Sequence, residues 1–168
     1  MLPPIDFKDW INRNRNLLKP PVCNKVVYED TEFIIMVVGG PNTRKDFHVD
    51  EGEEFFYQIE GDMVLNIFKN NKIENIRIKE GNIFLLPPRV PHSPQRFENT
   101  VGLVIERKRR DNELDGFQWY CDSCNHLLYE KFFKLENIET QLPIIFEKFW
   151  SNDEARTCNN CKEYLEKP

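Results

Sequence analysis

The chain has 168 residues, of which 12% are aromatic, and its formal net charge is −5 at pH 7. This length suits one domain with a hydrophobic core and a small appendage. The negative charge argues against a polyanion partner, and we expect the basic run Arg107–Arg110 to be solvated surface, so no nucleic-acid partner is predicted. No stretch approaches the about 20 apolar residues of a membrane span. The start, MLPPIDFKDW, lacks the pattern of a signal peptide, so we expect a cytoplasmic protein with no membrane partner.

The first part of the chain predicts one helix followed by many strands. Residues 5–18 (IDFKDWINRNRNLL) carry apolar residues at helical spacing, and Pro20–Pro21 predicts the end of that helix. From Val26, short runs rich in Val, Ile and Phe alternate with Gly, Pro and Asn. Asn70–Asn71 separates two such runs and predicts a hairpin turn. Many short strands without an intervening helix indicate a mainly β fold, a sandwich or a barrel.

The sequence changes character after Arg110. The last part holds two C-x2-C pairs, separated by a partly helical stretch. We therefore divide the chain into a barrel with its N-terminal helix, residues 1–112, and a C-terminal extension, residues 113–168. This extension is too small to fold alone, so we expect it to pack on the barrel within one structural domain.

The two C-x2-C pairs predict a closed metal site. Cys121, Cys124, Cys158 and Cys161 can place four thiolates tetrahedrally around Zn²⁺ or a rubredoxin-like iron. Disulfides are rare in the cytosol, and no βαβ pattern supports a redox C-x2-C. We expect a structural role, since a four-thiolate site has no open position for a substrate. Cys23 is expected to be an unligated thiol.

Two histidines and a glutamate suggest a second metal site. His48 precedes Glu54 by six residues, and His92 follows another apolar run. Two imidazoles and one carboxylate are ligands that hold Fe(II) while leaving positions open. A histidine beside acidic residues is more often a surface residue, so the spacing alone leaves both interpretations open.

The segments around these residues resemble the cupin superfamily. The stretch Gly40–Gly61 is similar to the first cupin motif, and Gly81–Pro87 followed by His92 is similar to the second. The resemblance implies a double-stranded β-helix, or jelly-roll, barrel. Asp50 stands where the first motif commonly has a second histidine, which lowers the ligand count from four to three. Arg89 stands where the second motif usually has glycine.

Longer blocks resemble the 3-hydroxyanthranilate 3,4-dioxygenase family. They are GGPNTRKDFHVDEGEEFFYQIEGDMVL, FLLPPRVPHSPQRF and NTVGLVIERKRRDNELDG. The resemblance implies that His48, Glu54 and His92 hold non-heme Fe(II) and that O2 is the co-substrate. It implies extradiol-type opening of 3-hydroxyanthranilate to 2-amino-3-carboxymuconate semialdehyde, which closes to quinolinate. That product feeds NAD biosynthesis from tryptophan by the kynurenine pathway. A homodimer is implied by likeness to members with the four cysteines.

The resemblance also assigns roles to residues around the iron. Arg96 would bind the substrate carboxylate, and its spacing of four residues from His92 returns to the same face of a strand. Arg44 would lie beside the open O2 position and Glu106 would accept a hydrogen bond from the substrate and assist proton movement. Glu54 would also border the substrate, and Asn24 would line the pocket mouth.

Two other functions stay open at this point. A non-catalytic cupin that binds a small aromatic acid would take up no O2. A nucleic-acid binder using the cysteine knuckles would need basic residues around them, whereas CDSCNHLLYE and CNNCKEYLE are acidic or neutral. The metal of the four-cysteine site, the tolerance for substituted substrates and the exact part played by Glu106 are not fixed by the sequence.

Overall fold

The computed structural model describes residues 3–20, 23–136 and 138–168. Its elements are, in chain order, α1 (Phe7–Asn14), β1 (Asn24–Val26), β2 (Phe33–Gly39), β3 (Asp46–Val49), β4 (Glu54–Glu60), β5 (Met63–Lys69), β6 (Lys72–Ile78), β7 (Ile83–Leu86), β8 (His92–Arg96), β9 (Val101–Arg107), β10 (Asp115–Tyr120), β11 (Leu127–Phe133), α2 (Ile138–Trp150) and α3 (Asp153–Arg156). Within these ranges, each helix is too short or too polar to cross a membrane.

The strands form two antiparallel sheets that enclose one core. The five-stranded sheet has the order β1-β2-β9-β4-β7, and the six-stranded sheet has the order β11-β10-β3-β8-β5-β6. Phe56 and Val104 from the first sheet pack in one cluster with Met63, Leu65 and Ile67 from the second. Burial alternates along β4 and β5, as expected when one face of each strand points inward. This arrangement is the predicted cupin jelly-roll barrel.

The β5–β6 hairpin confirms the turn predicted from the sequence. Lys69 pairs with Lys72, which leaves a two-residue loop. Asn70 and Asn71 have φ of 52° and 59°, the left-handed conformation that both central residues of a type I′ turn require. Asparagine tolerates this conformation better than most residues, so the pair fixes the register of two long strands.

Helix α1 is shorter than predicted and covers the outside of the five-stranded sheet. The Asp6 side chain caps its first turn, but residues after Asn14 form turns rather than helix. The Asn14 side chain donates to the Trp10 carbonyl, so it competes for an acceptor of the last helical turn. Leu18 still packs against the sheet from the turn that follows. Pro21, one of the two prolines predicted to end this helix, lies outside the described residues.

The C-terminal part continues the barrel instead of only lying on it. Strand β10 pairs with β3, so β10 and β11 extend the six-stranded sheet. Helix α2 packs on β10, where Phe149 stacks on Trp119 with ring centroids 4.5 Å apart and Phe146 meets Phe117 edge-on at 5.1 Å. The division of the chain at residues 112 and 113 stays a prediction.

Candidate metal centre and active site

Three segments bring His48, Glu54 and His92 together. His48 lies on β3 and is the register partner of His92, the first residue of β8. Glu54 opens β4 in the opposite sheet. The Glu54 Oε1 atom is 3.1 Å from His92 Nε2 and 3.4 Å from His48 Nδ1. One ligand atom from each of the three residues lies within 4.8 Å of the other two, which is close enough for all three to bind one metal ion.

In each histidine, the hydrogen bond of the ring nitrogen that points away from Glu54 determines which nitrogen is free to bind a metal ion. His48 Nε2 is 2.8 Å from Asp115 Oδ1, and His92 Nδ1 is 3.0 Å from the Val90 carbonyl oxygen. A carbonyl oxygen and an ionised carboxylate only accept hydrogen bonds, so these nitrogens carry the protons in the neutral rings. The lone pairs then lie on His48 Nδ1 and His92 Nε2, which both face Glu54. Metal-binding histidines usually have such an outer partner.

The charge of Glu54 also suits a metal ligand. Burial opposes its ionisation, yet His92 and His48 hold the pKa of this carboxyl well below its usual range. Protonated His92 and His48 supply this stabilisation, and a bound metal cation would take the place of their protons and keep the carboxylate ionised. An ionised carboxylate with two neutral imidazole nitrogens is a donor set for a divalent transition metal. The residues present therefore fit a metal ion at this position.

Four further predicted residues line one cavity of about 200 Å³ with the three ligands. They are Arg44 before β3, Arg96 on β8, Glu106 on β9 and Asn24 on β1. Asn24 is exposed, whereas Arg96 and Glu106 are buried. The structure thus brings together every residue that the sequence analysis placed around the iron.

Arg96 is a buried cation that no carboxylate of the described residues pairs with. It is 3% exposed and its Nη1 donates to Gln58 Oε1 at 3.2 Å, but its Nε has no hydrogen-bond partner among residues 3–20, 23–136 and 138–168. Burial and the charge of Arg44 lower its pKa to about 10. A buried, incompletely bonded guanidinium is costly unless an anion completes its bonds. The cavity is therefore suited to an anionic ligand at Arg96.

Gly102 and Gln58 create the place that Arg96 occupies, and sequence reasoning missed both. A Cβ added to Gly102 would fall 2.6 Å from Arg96 Nη1 and 2.8 Å from Gln58 Oε1. Gln58 is 1% exposed and is the register partner of Gly102 on the neighbouring strand. No local sequence pattern marks these positions, because their meaning depends on the pairing of β4 with β9.

At the cavity wall, Arg44 and Glu106 each form an ion pair with another charged side chain. Arg44 pairs with Asp46, whose Oδ2 is 3.1 Å from Arg44 Nε. Burial, followed by the charge of Glu54, raises the pKa of Glu106 to about 7. Glu106 Oε1 is 3.1 Å from Arg109 Nη1. The cavity thus contains a carboxyl that can exchange a proton near neutral pH.

The expectation that Arg107–Arg110 is solvated surface is wrong for Arg109. Its side chain is 10% exposed and forms ion pairs with Asp50, Glu106 and Asp115. The error has a physical cause, since Asp50 and Asp115 reach this position only through the pairing of β3 with β10. Arg109 and Asp115 are the functional candidates that the sequence analysis missed.

Asp50 and Arg89, the two residues that depart from the cupin motifs, each have an environment that accommodates them. Asp50 accepts a hydrogen bond from the Gly52 backbone N at 2.9 Å and forms an ion pair with Arg109 at 3.2 Å. Arg89 has φ of 63°, the left-handed conformation that explains the glycine usual at this position. An arginine there is exposed, so its side chain costs no packing.

The four predicted cysteines form a second cluster, away from the cavity. Cys121 Sγ is 3.5 Å from Cys161 Sγ, and Cys124 Sγ is 3.6 Å from Cys158 Sγ. A disulfide needs about 2.05 Å. Bonds of about 2.3 Å from zinc to sulfur would separate tetrahedral thiolates by roughly 3.8 Å. The sulfur separations therefore fit four thiolates around one metal ion and not two disulfides.

The two cysteine pairs have the same backbone geometry. Asn125 N donates to the Cys121 carbonyl and Lys162 N donates to the Cys158 carbonyl, both at 2.9 Å. Asn125 and Lys162 are also left-handed, with φ of 59° and 68°. Each pair thus forms one tight knuckle, and the two knuckles face each other. Cys23 lies apart from this cluster and its thiol donates to the Pro41 carbonyl at 3.6 Å.

A two-sheet barrel with an imidazole and carboxylate centre defines this chain as a metal-binding cupin. It matches the family described as 3-hydroxyanthranilic acid dioxygenase over residues 1–150. The chain belongs to that family.

Two relatives of known name agree with this membership. A 3-hydroxyanthranilate 3,4-dioxygenase of Xanthomonas euvesicatoria pv. vesicatoria is 55% identical over 161 residues, which cover 96% of this chain and 91% of that protein. One from Bacillus cereus is 52% identical over 153 residues, 90% of this chain and 86% of that protein. A solved cupin-2 domain containing protein from Shewanella frigidimarina is 20% identical with a TM-score of 0.47, over 62% of this chain and 94% of that chain.

Proposed function

We propose that the protein is an Fe(II)-dependent dioxygenase that opens the ring of 3-hydroxyanthranilate with O2. The product would be 2-amino-3-carboxymuconate semialdehyde. One observation carries the choice of substrate: the buried guanidinium of Arg96, which no carboxylate among the described residues pairs with, lies in the same cavity as three residues that could hold a metal ion. Membership of the 3-hydroxyanthranilic acid dioxygenase family supports the reaction.

Arg96 would bind the carboxylate of the substrate. A planar guanidinium offers paired N–H groups that match a carboxylate, and such charge-assisted bonds are strong in a buried site. The Nε of Arg96 has no hydrogen-bond partner in the described part of the chain, so a substrate oxygen can accept its hydrogen bond. This contact would fix one end of the aromatic ring and point the amine and the phenol toward the metal ligands.

His48, Glu54 and His92 would hold the Fe(II). Three protein ligands leave coordination positions open for the substrate's amine and phenol and for O2. The iron, when bound, supplies the activation of O2 that the organic substrate alone cannot provide. Glu54 faces the cavity as well as both histidines, so it would also border the substrate.

Glu106 and Arg44 would act on the substrate and on O2. Glu106, with a pKa of about 7, would accept a hydrogen bond from the phenol or amine and take up its proton. Arg44, fixed by Asp46, would place its positive charge beside the open O2 position. Asn24 would contact the substrate at the exposed edge of the cavity.

The four-cysteine cluster would hold Fe or Zn in a structural role. Four thiolates that hold one metal ion would leave no position for a substrate. We also propose a cytoplasmic homodimer that supplies quinolinate for NAD biosynthesis from tryptophan. The dimer rests on resemblance to family members with these cysteines, and the cytoplasm agrees with cysteines kept as metal-binding thiols.

An anaerobic mixing experiment tests the proposed reaction. Fe(II)-loaded protein is mixed with 3-hydroxyanthranilate, air is admitted, and both O2 uptake and muconate semialdehyde absorbance are followed. Uptake of one O2 per product is expected. The His92→Ala variant should lose turnover with its iron, whereas His126→Ala should keep both, because His126 is exposed and outside the centre. Substrate binding without O2 uptake by fully iron-loaded protein would instead indicate a non-catalytic cupin.

A further inference from the structure

Arg109 joins three buried carboxylates behind the metal centre. Its Nη2 is 2.6 Å from Asp115 Oδ1 and 3.2 Å from Asp50 Oδ2, and its Nη1 is 3.1 Å from Glu106 Oε1. All four side chains are at most 10% exposed. Three carboxylates crowded together in a buried site repel one another, and the guanidinium that pairs with all three offsets part of this repulsion.

Asp115 connects this network to a proposed metal ligand. Its Oδ1 accepts the hydrogen bond from His48 Nε2 at 2.8 Å, and Asp115 is 1% exposed. Two residues later on β10, Phe117 is the register partner of His48, and the two rings stack at 5.2 Å. The His48 ring is therefore held at its edge by Asp115 and on one face by Phe117, which leaves Nδ1 directed at Glu54.

We propose that Asp115 and Arg109 are positioning residues of the metal centre, an inference that rests on the iron site proposed above. Asp115 keeps the His48 proton on Nε2 and the lone pair on Nδ1, the atom that would bind the metal. Arg109 keeps Asp115 in place through a bidentate contact and orients Glu106 toward the cavity. Removing an outer partner of a metal-binding histidine typically weakens metal affinity by about 10–100-fold.

The test measures Fe(II) affinity without substrate or O2. The protein is stripped of the iron in its open centre and titrated anaerobically with Fe(II), and the electron paramagnetic resonance signal of the nitric oxide adduct counts the iron bound there. A closed four-thiolate site has no position for nitric oxide. We expect the Fe(II) Kd to rise about 10–100-fold in Asp115→Ala and less in Asp115→Asn, whose amide oxygen still accepts from Nε2.

Arg109→Lys tests the role of Arg109, and Arg107→Lys is its matched control. Both keep the positive charge and lose the planar guanidinium, but Arg107 pairs with Glu113 at the surface. The Fe(II) Kd should rise in Arg109→Lys and stay unchanged in Arg107→Lys. A role in folding alone would lower the melting temperature without changing the Kd measured well below it.

The outcomes separate this inference from the proposed function. Wild-type protein that binds no Fe(II) at the open centre would overturn both. Wild-type protein that binds Fe(II), together with a folded Asp115→Ala variant of equal affinity, would overturn the positioning role alone. If Asp115→Ala does not fold, wild-type affinity in Asp115→Asn and in Arg109→Lys would overturn it instead.

Discussion

Glu54 on β4 and Glu106 on β9 are register partners on neighbouring strands, and both are buried. Their environments move the two pKa values in opposite directions. His92 and His48 keep the pKa of Glu54 well below its usual range despite its burial. Burial and the charge of Glu54 raise the pKa of Glu106 to about 7. Such a divergence assigns different chemical roles to two adjacent carboxyls. Glu54 stays ionised, as a metal ligand must, and Glu106 can accept and release a proton.

The pH dependence of catalysis should follow Glu106. An ionised Glu106 is needed to take the substrate proton, so kcat/KM should rise with pH through an apparent pKa of about 7 and level off above it. In Glu106→Gln this acidic limb should disappear and kcat/KM should fall by about 10²–10⁴-fold. Glu130→Gln, at an exposed position of β11, should keep the limb. An unchanged limb in Glu106→Gln would assign the proton transfer elsewhere.

Arg96→Ala should impair recognition of the substrate carboxylate. Losing one partner of a buried charge pair costs about 2–5 kcal/mol. We expect a higher KM and a correspondingly lower kcat/KM for 3-hydroxyanthranilate. For 2-aminophenol, which lacks the carboxylate, the variant and the wild type should have nearly equal kcat/KM. An equal loss on both compounds would mean that Arg96 does not contact the carboxylate.

The candidate ligand residues could be picked out from the sequence because local motifs contain them. His48, Glu54 and His92 lie within two short motifs, and each C-x2-C pair lies within four residues. The strand pattern likewise predicted a barrel, and Asn70–Asn71 predicted its hairpin, since alternation and turn chemistry are local properties.

The residues that support the ligands could not be found in this way. Asp115 is 67 residues from His48, and Gln58 is 38 residues from Arg96. These contacts depend on which strands become neighbours and in which register, and no local pattern encodes that. Arg109 was predicted to be solvated surface because its burial and its contact with Asp50 depend on the pairing of β3 with β10, although Glu106 and Asp115 lie only three and six residues away in sequence.

The four-cysteine site should affect stability before catalysis. Cys158 is fully buried beside the α2 and β10 cluster, and binding of a structural metal contributes directly to folding. We expect Cys158→Ser to lower the melting temperature by at least about 4–8 °C, which corresponds to roughly 2 kcal/mol in a chain of this size. Cys23→Ser, which removes the unligated thiol, should change it little. Scanning calorimetry gives both values. Turnover per folded, iron-loaded Cys158→Ser molecule should equal that of the wild type, and a loss there would contradict a purely structural role.

Gly102→Ala should reproduce part of the Arg96 defect without touching Arg96 itself. The added Cβ would lie 2.6 Å from Arg96 Nη1, so the guanidinium must shift within the cavity. Gly102 does not have a positive φ, so alanine fits its backbone and the effect should be confined to Arg96 and its hydrogen-bond partner Gln58. Hydrogen bonds to charged groups contribute about 1.5–3 kcal/mol, so kcat/KM for 3-hydroxyanthranilate should fall by about 10–100-fold.

The effect of Gly102→Ala should again depend on the substrate carboxylate. Activity on 2-aminophenol should stay close to the wild-type value, because the metal ligands on β3, β4 and β8 are unchanged. Gly52→Ala is the matched control, since its added Cβ would meet the flexible Arg107 side chain at 3.4 Å and should leave both activities intact. Wild-type kcat/KM for 3-hydroxyanthranilate in Gly102→Ala would mean that the position of the Arg96 guanidinium does not determine how the substrate binds.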